Sequence, residues 1–162
     1  MTELDPFTDL LDCPMCVVTA EAGGERAGCL VGFASQCSIR PARFVVWLSK
    51  ANRTFRVAEG AERLAVHLLR HDQDRLARLF GGETGDRTDK FAAVPWHRGP
   101  GGSLILDEAP AWFVGRVENQ IDGGDHVGFL LAPEAADRRT GDGTRLLTLN
   151  DTHDITPGHP AD

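Results

Sequence analysis

The chain has 162 residues, 41% of them hydrophobic, with 24 acidic against 17 basic side chains and a net charge of -7. That length and apolar fraction suit one compact domain over residues 1–162 and call for no second one. The acidic balance disfavours nucleic acid as a partner, and no apolar run approaches the ~20 residues that span a membrane.

Met1 to Asp12 carries acids and no basic stretch, so it does not read as a secretory signal, and cytoplasmic is the default localisation. Pro6 to Leu11 reads as a short leading helix. Cys13-Pro14-Met15-Cys16 is a C-x-x-C, with Cys29 and Cys37 as the other thiols. A redox or zinc role needs a strand-turn-helix context or a second ligand pair, and neither is visible, so no metal is expected. The ordinary alternative is small apolar side chains in a reducing compartment.

Met15 to Ala20 is β-rich, and Glu21 to Gly24 is a turn into a second strand, Gly28 to Ala34, which suggests a hairpin. Arg43 to Leu48 is a continuous apolar strand. Asn52 to Glu59 reads as a short helix capped by Ser49 or Asn52. Leu64 to Leu69 is another strand. Asp72 to Phe80 has helical spacing at Leu76, Leu79 and Phe80, with Gly81-Gly82 ending it. Glu83 to Gly102 is a long polar loop carrying Lys90, Phe91 and Trp96. Leu104 to Leu106, Ala111 to Ile121 and His126 to Ala132 read as strands, the last two joined at Asp122-Gly123-Gly124. Arg145 to Leu149 reads as a last edge strand, and residues 150–162 as an extended tail. Short strands with few helices predict a mainly β fold, an antiparallel barrel with Greek-key-like connections and short flanking helices.

Gly28 to Pro41, the Ser49-Lys50-Ala51-Asn52-Arg53-Thr54-Phe55 segment, Asp89-Lys90-Phe91 and Gly124-Asp125-His126 stand in one order and spacing. Together they resemble the flavin reductase-like family over roughly residues 14 to 136. The resemblance implies an FMN-binding split barrel, built as a homodimer with flavin near the subunit interface. It implies NAD(P)H as hydride donor, FMN as acceptor with FAD an alternative, and often a separate flavin-dependent monooxygenase that consumes the product. A non-catalytic flavin carrier and a barrel binding haem or a deazaflavin are the competing readings.

Phosphate needs hydrogen-bond donors and positive charge, and Ser49, Lys50, Asn52, Arg53 and Thr54 supply both, although a capped helix start alone would look the same. By the resemblance, Ala34, Ser35, Gln36, Cys37 and Ser38 run along the flavin ring; otherwise they are a solvated turn. Leu30, Gly32, Phe33 and Gln36 stand where many members carry hydroxyl residues. The resemblance also puts His126, beside Asp125, near the nicotinamide and flavin, against a structural role at a strand start. Lys90, Phe91 and Trp96 either cover the flavin or anchor their loop in the core. His67 is read as a core or interface residue with no chemistry. No G-x-S-x-G, H-E-x-x-H or strand-borne G-x-G-x-x-G is present.

Overall fold

The computed structural model describes residues 1–82, 89–139 and 141–156. Helix α1 (Asp5–Thr8) leads into nine strands: β1 (Cys16–Ala22), β2 (Glu25–Val31), β3 (Ala34–Ile39), β4 (Ala42–Ser49), β5 (Arg63–Leu68), β6 (Trp96–Arg98), β7 (Leu104–Leu106), β8 (Ala111–Asp122) and β9 (His126–Arg138). Helix α2 (Arg53–Ala58) follows β4 and α3 (Asp74–Gly82) follows β5. Seven strands form one antiparallel sheet in the order β2-β1-β5-β8-β9-β4-β3, and β6 and β7 pair separately. The end strands β2 and β3 are consecutive in the chain. Between them, the Phe33 carbonyl accepts the Trp47 amide at 2.9 Å, extending the β3–β4 ladder to the residue that precedes β3. No helix among the described residues is long and apolar enough to cross a membrane.

β1 explains why its sequence is apolar without alternation. Cys16, Val18 and Ala20 face the barrel interior with Val46, Leu48 and Phe129. Met15 and Val17 face an outer core with Phe80, Leu104 and Leu147. Alternate side chains of a strand point to opposite faces, so burial on both faces requires a continuous run. The Thr19 hydroxyl, also buried, donates to the Leu104 carbonyl at 2.7 Å.

Five expectations change. Residues 34–39 form an edge strand rather than a turn; pairing only with β4 leaves their polar side chains exposed, which masks the strand signal. Trp96–Arg98 is a strand, found because β7 supplies its partner. Arg145 to Leu149 is not a strand. It makes single bridges, Arg70 to Leu146 and Pro14 to Thr148, because it runs between two segments and follows neither. Gly81 and Gly82 belong to α3 rather than ending it. The leading helix is only Asp5–Thr8. The loop readings at 83–88 and the tail readings beyond 156 lie outside the described residues.

His67 joins the layers, as a core residue. Its Nδ1 donates to the Val17 carbonyl at 2.9 Å, and its Nε2 accepts the Leu106 amide at 3.1 Å. This pair of bonds requires the neutral ring, and burial lowers its pKa to about 4. The unfolded chain therefore binds the extra proton below the ordinary histidine pKa of about 6.5, while the folded chain does not. The associated stability is complete above about pH 6.5 and is lost as pH falls toward about 4, on the order of 3 kcal/mol. Thermal unfolding between pH 4 and 7 should show this slope, and His67→Leu should flatten it while lowering stability throughout.

Candidate functional site

β4 ends at Ser49, which pairs with His126, the first residue of β9. The Lys50 amide donates to the Asp125 carbonyl at 2.9 Å, tying the β8–β9 turn to the end of β4. Trp47 packs under that turn. A Cβ on Gly123 or Gly128 would lie within 2.7 or 2.9 Å of its ring, so only glycine admits the indole there. The His126 Nδ1 bonds the Asp125 carboxylate at 2.7 Å, and its ring meets Phe33 at 5.0 Å between centroids, tilted by 51°. The Asp125 carboxyl is held below its usual pKa by this bond and by the imidazole's charge.

Ser49, Asn52, His126, Phe33 and Trp47 line a cavity of about 350 Å³. Its other side is apolar, built by Leu30 of β2, Phe80 of α3, Met15, and the C-terminal residues Leu149 and Ile155. Asn52 caps α2 by accepting the Thr54 amide on Oδ1 at 2.9 Å, which commits one end of its side chain. The arrangement can take a planar ligand with one polar and one hydrocarbon edge.

Of the residues singled out from sequence, Ser49, Asn52 and His126 meet in this cavity. Asp125 does not line the cavity but is bonded to His126, which does. The Lys50 ammonium rests on Asp122 at 3.0 Å, next to the turn. Ala34, Ser35, Gln36, Cys37 and Ser38 lie along the edge strand β3, with Cys37 exposed at a bulge between Gln36 and Ser38. None of the five lines the cavity.

Arg53 and Thr54 take positions other than those expected for a phosphate site, and Lys90, Phe91 and Trp96 take one of their two expected positions. The Arg53 guanidinium turns to the β1–β2 hairpin, donating to the Arg26 carbonyl at 2.6 Å and pairing with Glu25 at 3.4 Å. Thr54 is buried, and its hydroxyl bonds the Cys29 thiol, whose pKa burial raises to about 11. Lys90 and Phe91 are buried, not poised over the cavity. The Lys90 ammonium donates to the Gly28 and Phe80 carbonyls at 3.0 and 3.1 Å. Trp96 donates its indole N–H to the Phe91 carbonyl at 3.1 Å and packs edge-on against that ring. This is the anchored-loop alternative, fixed by the close seat of Phe80 on Gly28, where a Cβ would lie 2.7 Å from the ring.

The C-x-x-C cysteines face different ways: Cys13 donates to the Gly32 carbonyl at 3.1 Å, while Cys16 is sealed in the barrel, its pKa pushed up to about 12 by burial. Sequence reasoning missed Trp47, Leu149 and Ile155 as wall residues. Trp47 reads as an ordinary apolar strand position, and the C-terminal residues reach the cavity only through long-range packing. The pattern that could have pointed to Trp47 is the glycine pair, Gly123 and Gly128, across the sheet.

Residues 10–155 match the flavin reductase like domain family. The stachydrine N-demethylase reductase subunit Stc3 of Rhizobium meliloti (strain 1021) is 32% identical over 114 residues, covering 68% of this chain and 48% of that protein. The chain thus spans about half the length of that relative. The FMN reductase (NADH) RutF of Escherichia coli (strain 55989 / EAEC) is 28% identical over 137 residues, covering 83% of each chain. Among solved structures, the NADH:FAD oxidoreductase SgcE6 of Streptomyces globisporus C-1027 superposes with a TM-score of 0.79 at 21% identity, covering 91% of this chain and 90% of that one, which establishes the split-barrel fold. With 146 of its residues, 10 through 155, inside one domain match, the chain belongs to the flavin reductase-like domain family.

Proposed function

We propose that the protein is an NAD(P)H-dependent flavin reductase acting on FMN, with FAD as an alternative acceptor. The observation that carries this reading is the convergence of Ser49, Asn52 and His126 on one cavity with aromatic and hydrocarbon walls. Those walls fit an isoalloxazine ring, whose pyrimidine edge needs polar partners and whose benzenoid edge needs none. When bound, flavin supplies the redox chemistry, accepting a hydride from NAD(P)H and a proton from solvent.

The chain's own part is positioning. Phe33 and Asp125 hold the His126 ring from two sides, so the imidazole is pre-set at the cavity. Ser49 and Asn52 offer polar groups beside it, and Lys50 supplies positive charge for a phosphate. Residues that keep Trp47 under the β8–β9 turn keep this set in register.

A homodimer completes the reading. β3 offers an unpaired sheet edge with Ile39 78% exposed, a patch that an isologous interface would cover. Light scattering at micromolar concentration should give a dimer. A flavin-dependent monooxygenase consuming the product is the partner class, in keeping with the reductase-subunit name of Stc3. A cytoplasmic setting is supported by four unpaired cysteines.

NADH and NADPH oxidation with added FMN or FAD tests the proposal. Turnover with one donor is expected; folded protein that turns over neither overturns it, and a bound chromophore of another kind in the absorption spectrum would name the replacement. His126→Ala should slow nicotinamide oxidation by up to about a hundredfold while flavin affinity stays within about threefold. Loss of stability and affinity together would make His126 structural. Lys50→Ala should weaken FMN by about one decade and spare riboflavin, which lacks the phosphate. Arg53→Ala should leave both ligands unmoved, since its guanidinium serves the hairpin.

A further inference from the structure

The chain after β9 does not trail away. Leu147 is buried; its amide donates to the Leu69 carbonyl at 2.9 Å, and its carbonyl accepts the Met15 amide at 3.0 Å. Leu149 donates to the Cys13 carbonyl at 2.8 Å, and Asn150 to the Asp12 carboxylate at 3.0 Å. Thr148 and Asp151 form a reciprocal capping box over the short 3-10 turn Leu149–Thr152. Two side-chain pairs then fasten the segment to the body: Asp151 with His71 at 3.4 Å, and Asp154 with Arg78 of α3. This strap passes along the candidate cavity and contributes Leu149, Thr152 and Ile155 to its lining.

Two glycines lie at van der Waals distance from it, and one of them also seats Leu30 closely. A Cβ on Gly81 would sit 2.8 Å from Leu30 and 3.4 Å from Ile155; one on Gly32 would sit 3.4 Å from Met15 and 3.7 Å from Leu149. The strap's side of the cavity is thus hydrocarbon from several elements. Its one hydroxyl, on Thr152, is already donated to the Leu149 carbonyl at 2.8 Å. The side bearing Ser49, Asn52 and His126 carries the polar groups.

We propose that this strap is a specificity-determining wall of the site, with Leu149 and Ile155 bearing on the benzenoid edge of the flavin ring. The inference rests on the flavin reading above and deepens it. A nicotinamide ring carries a carboxamide and has no comparable hydrocarbon edge, so a two-sided cavity of this kind selects the larger ring. Contacts on the ring ignore the phosphate, so the wall affects FMN and riboflavin equally. That sets it apart from Lys50.

The test is titration of riboflavin and FMN by fluorescence on the wild-type chain, Ile155→Asp and Ile155→Val, with thermal unfolding recorded for each. Hydrogen exchange of the wild type with and without riboflavin accompanies it. Ile155→Asp should weaken both flavins by the same factor, about tenfold, and Ile155→Val should stay within about twofold. Riboflavin should slow exchange at the amides of Leu149, Asp151 and Ile155. Flavin binding that is unchanged in Ile155→Asp, or strap amides that gain no protection, overturns the wall while leaving the reductase reading intact. A wild-type chain that binds neither flavin removes both. Should Ile155→Asp fail to fold, the exchange measurement on the wild type decides alone.

Discussion

β1 has no solvent face, and the rest of the molecule is arranged around that fact. Its inner side chains, Cys16, Val18 and Ala20, require a barrel to close over them. Its outer ones, Met15 and Val17, require a second layer, which α3, β7 and the C-terminal strap provide. Each buried aliphatic side chain contributes roughly 1.5–3 kcal/mol, so a strand exposed on either side would forfeit several such terms. His67 closes a polar gap this creates, linking a β1 carbonyl to a β7 amide through a neutral ring. The candidate site lies where the two layers part, between the barrel's β4 and β9 ends and the outer layer's α3 and strap.

That placement explains its two-sided chemistry. Strand ends expose backbone groups and turn residues, so the barrel contributes Ser49, Asn52 and His126. The outer layer is a core, so its margin contributes hydrocarbon. Charge is organised locally against a net of -7. Asp122 lies below its usual pKa through the Gly124 amide and the Lys50 ammonium, and Asp125 through His126. Both carboxylates stay ionised at neutral pH and hold a lysine and a histidine in place. The cost of placing the Lys50 ammonium and of orienting the His126 ring is met within the fold itself.

Much of this was legible in the residues. The strand pairs β1–β2 and β8–β9 follow from β-rich runs joined by Gly-containing turns, and Asn52 as a helix cap follows from side-chain chemistry. β3 was not legible, because an exposed edge strand has a loop's composition. Arg53 and Thr54 show a different limit. A phosphate-friendly composition names donors, but one residue of helical rotation decides which side chain faces the cavity and which turns to the hairpin or into the core. Lys90 read as a loop residue that either covers the ligand or anchors its loop. Its ammonium holds two backbone carbonyls of its own fold, a use that depends on Phe80 seated on Gly28, 52 residues away in the chain.

On the proposed reading, the hydrocarbon side of the cavity also bears on how the site would hold a ring. A typical net hydrogen bond contributes about 0.5–1.5 kcal/mol, so a pair of polar contacts would contribute about 1–3 kcal/mol. Burying roughly 100 Å² of benzenoid surface against Leu30, Leu149 and Ile155 would contribute about 2.5 kcal/mol. The two contributions are similar in size, but not in character. Apolar burial is non-directional, so such walls would discriminate flavin from smaller rings by size and edge polarity, and would hardly distinguish one flavin from another. On the proposed reading, preference among riboflavin, FMN and FAD must then come from groups outside the ring pocket, such as Lys50 on the turn after β4, which does not line the cavity.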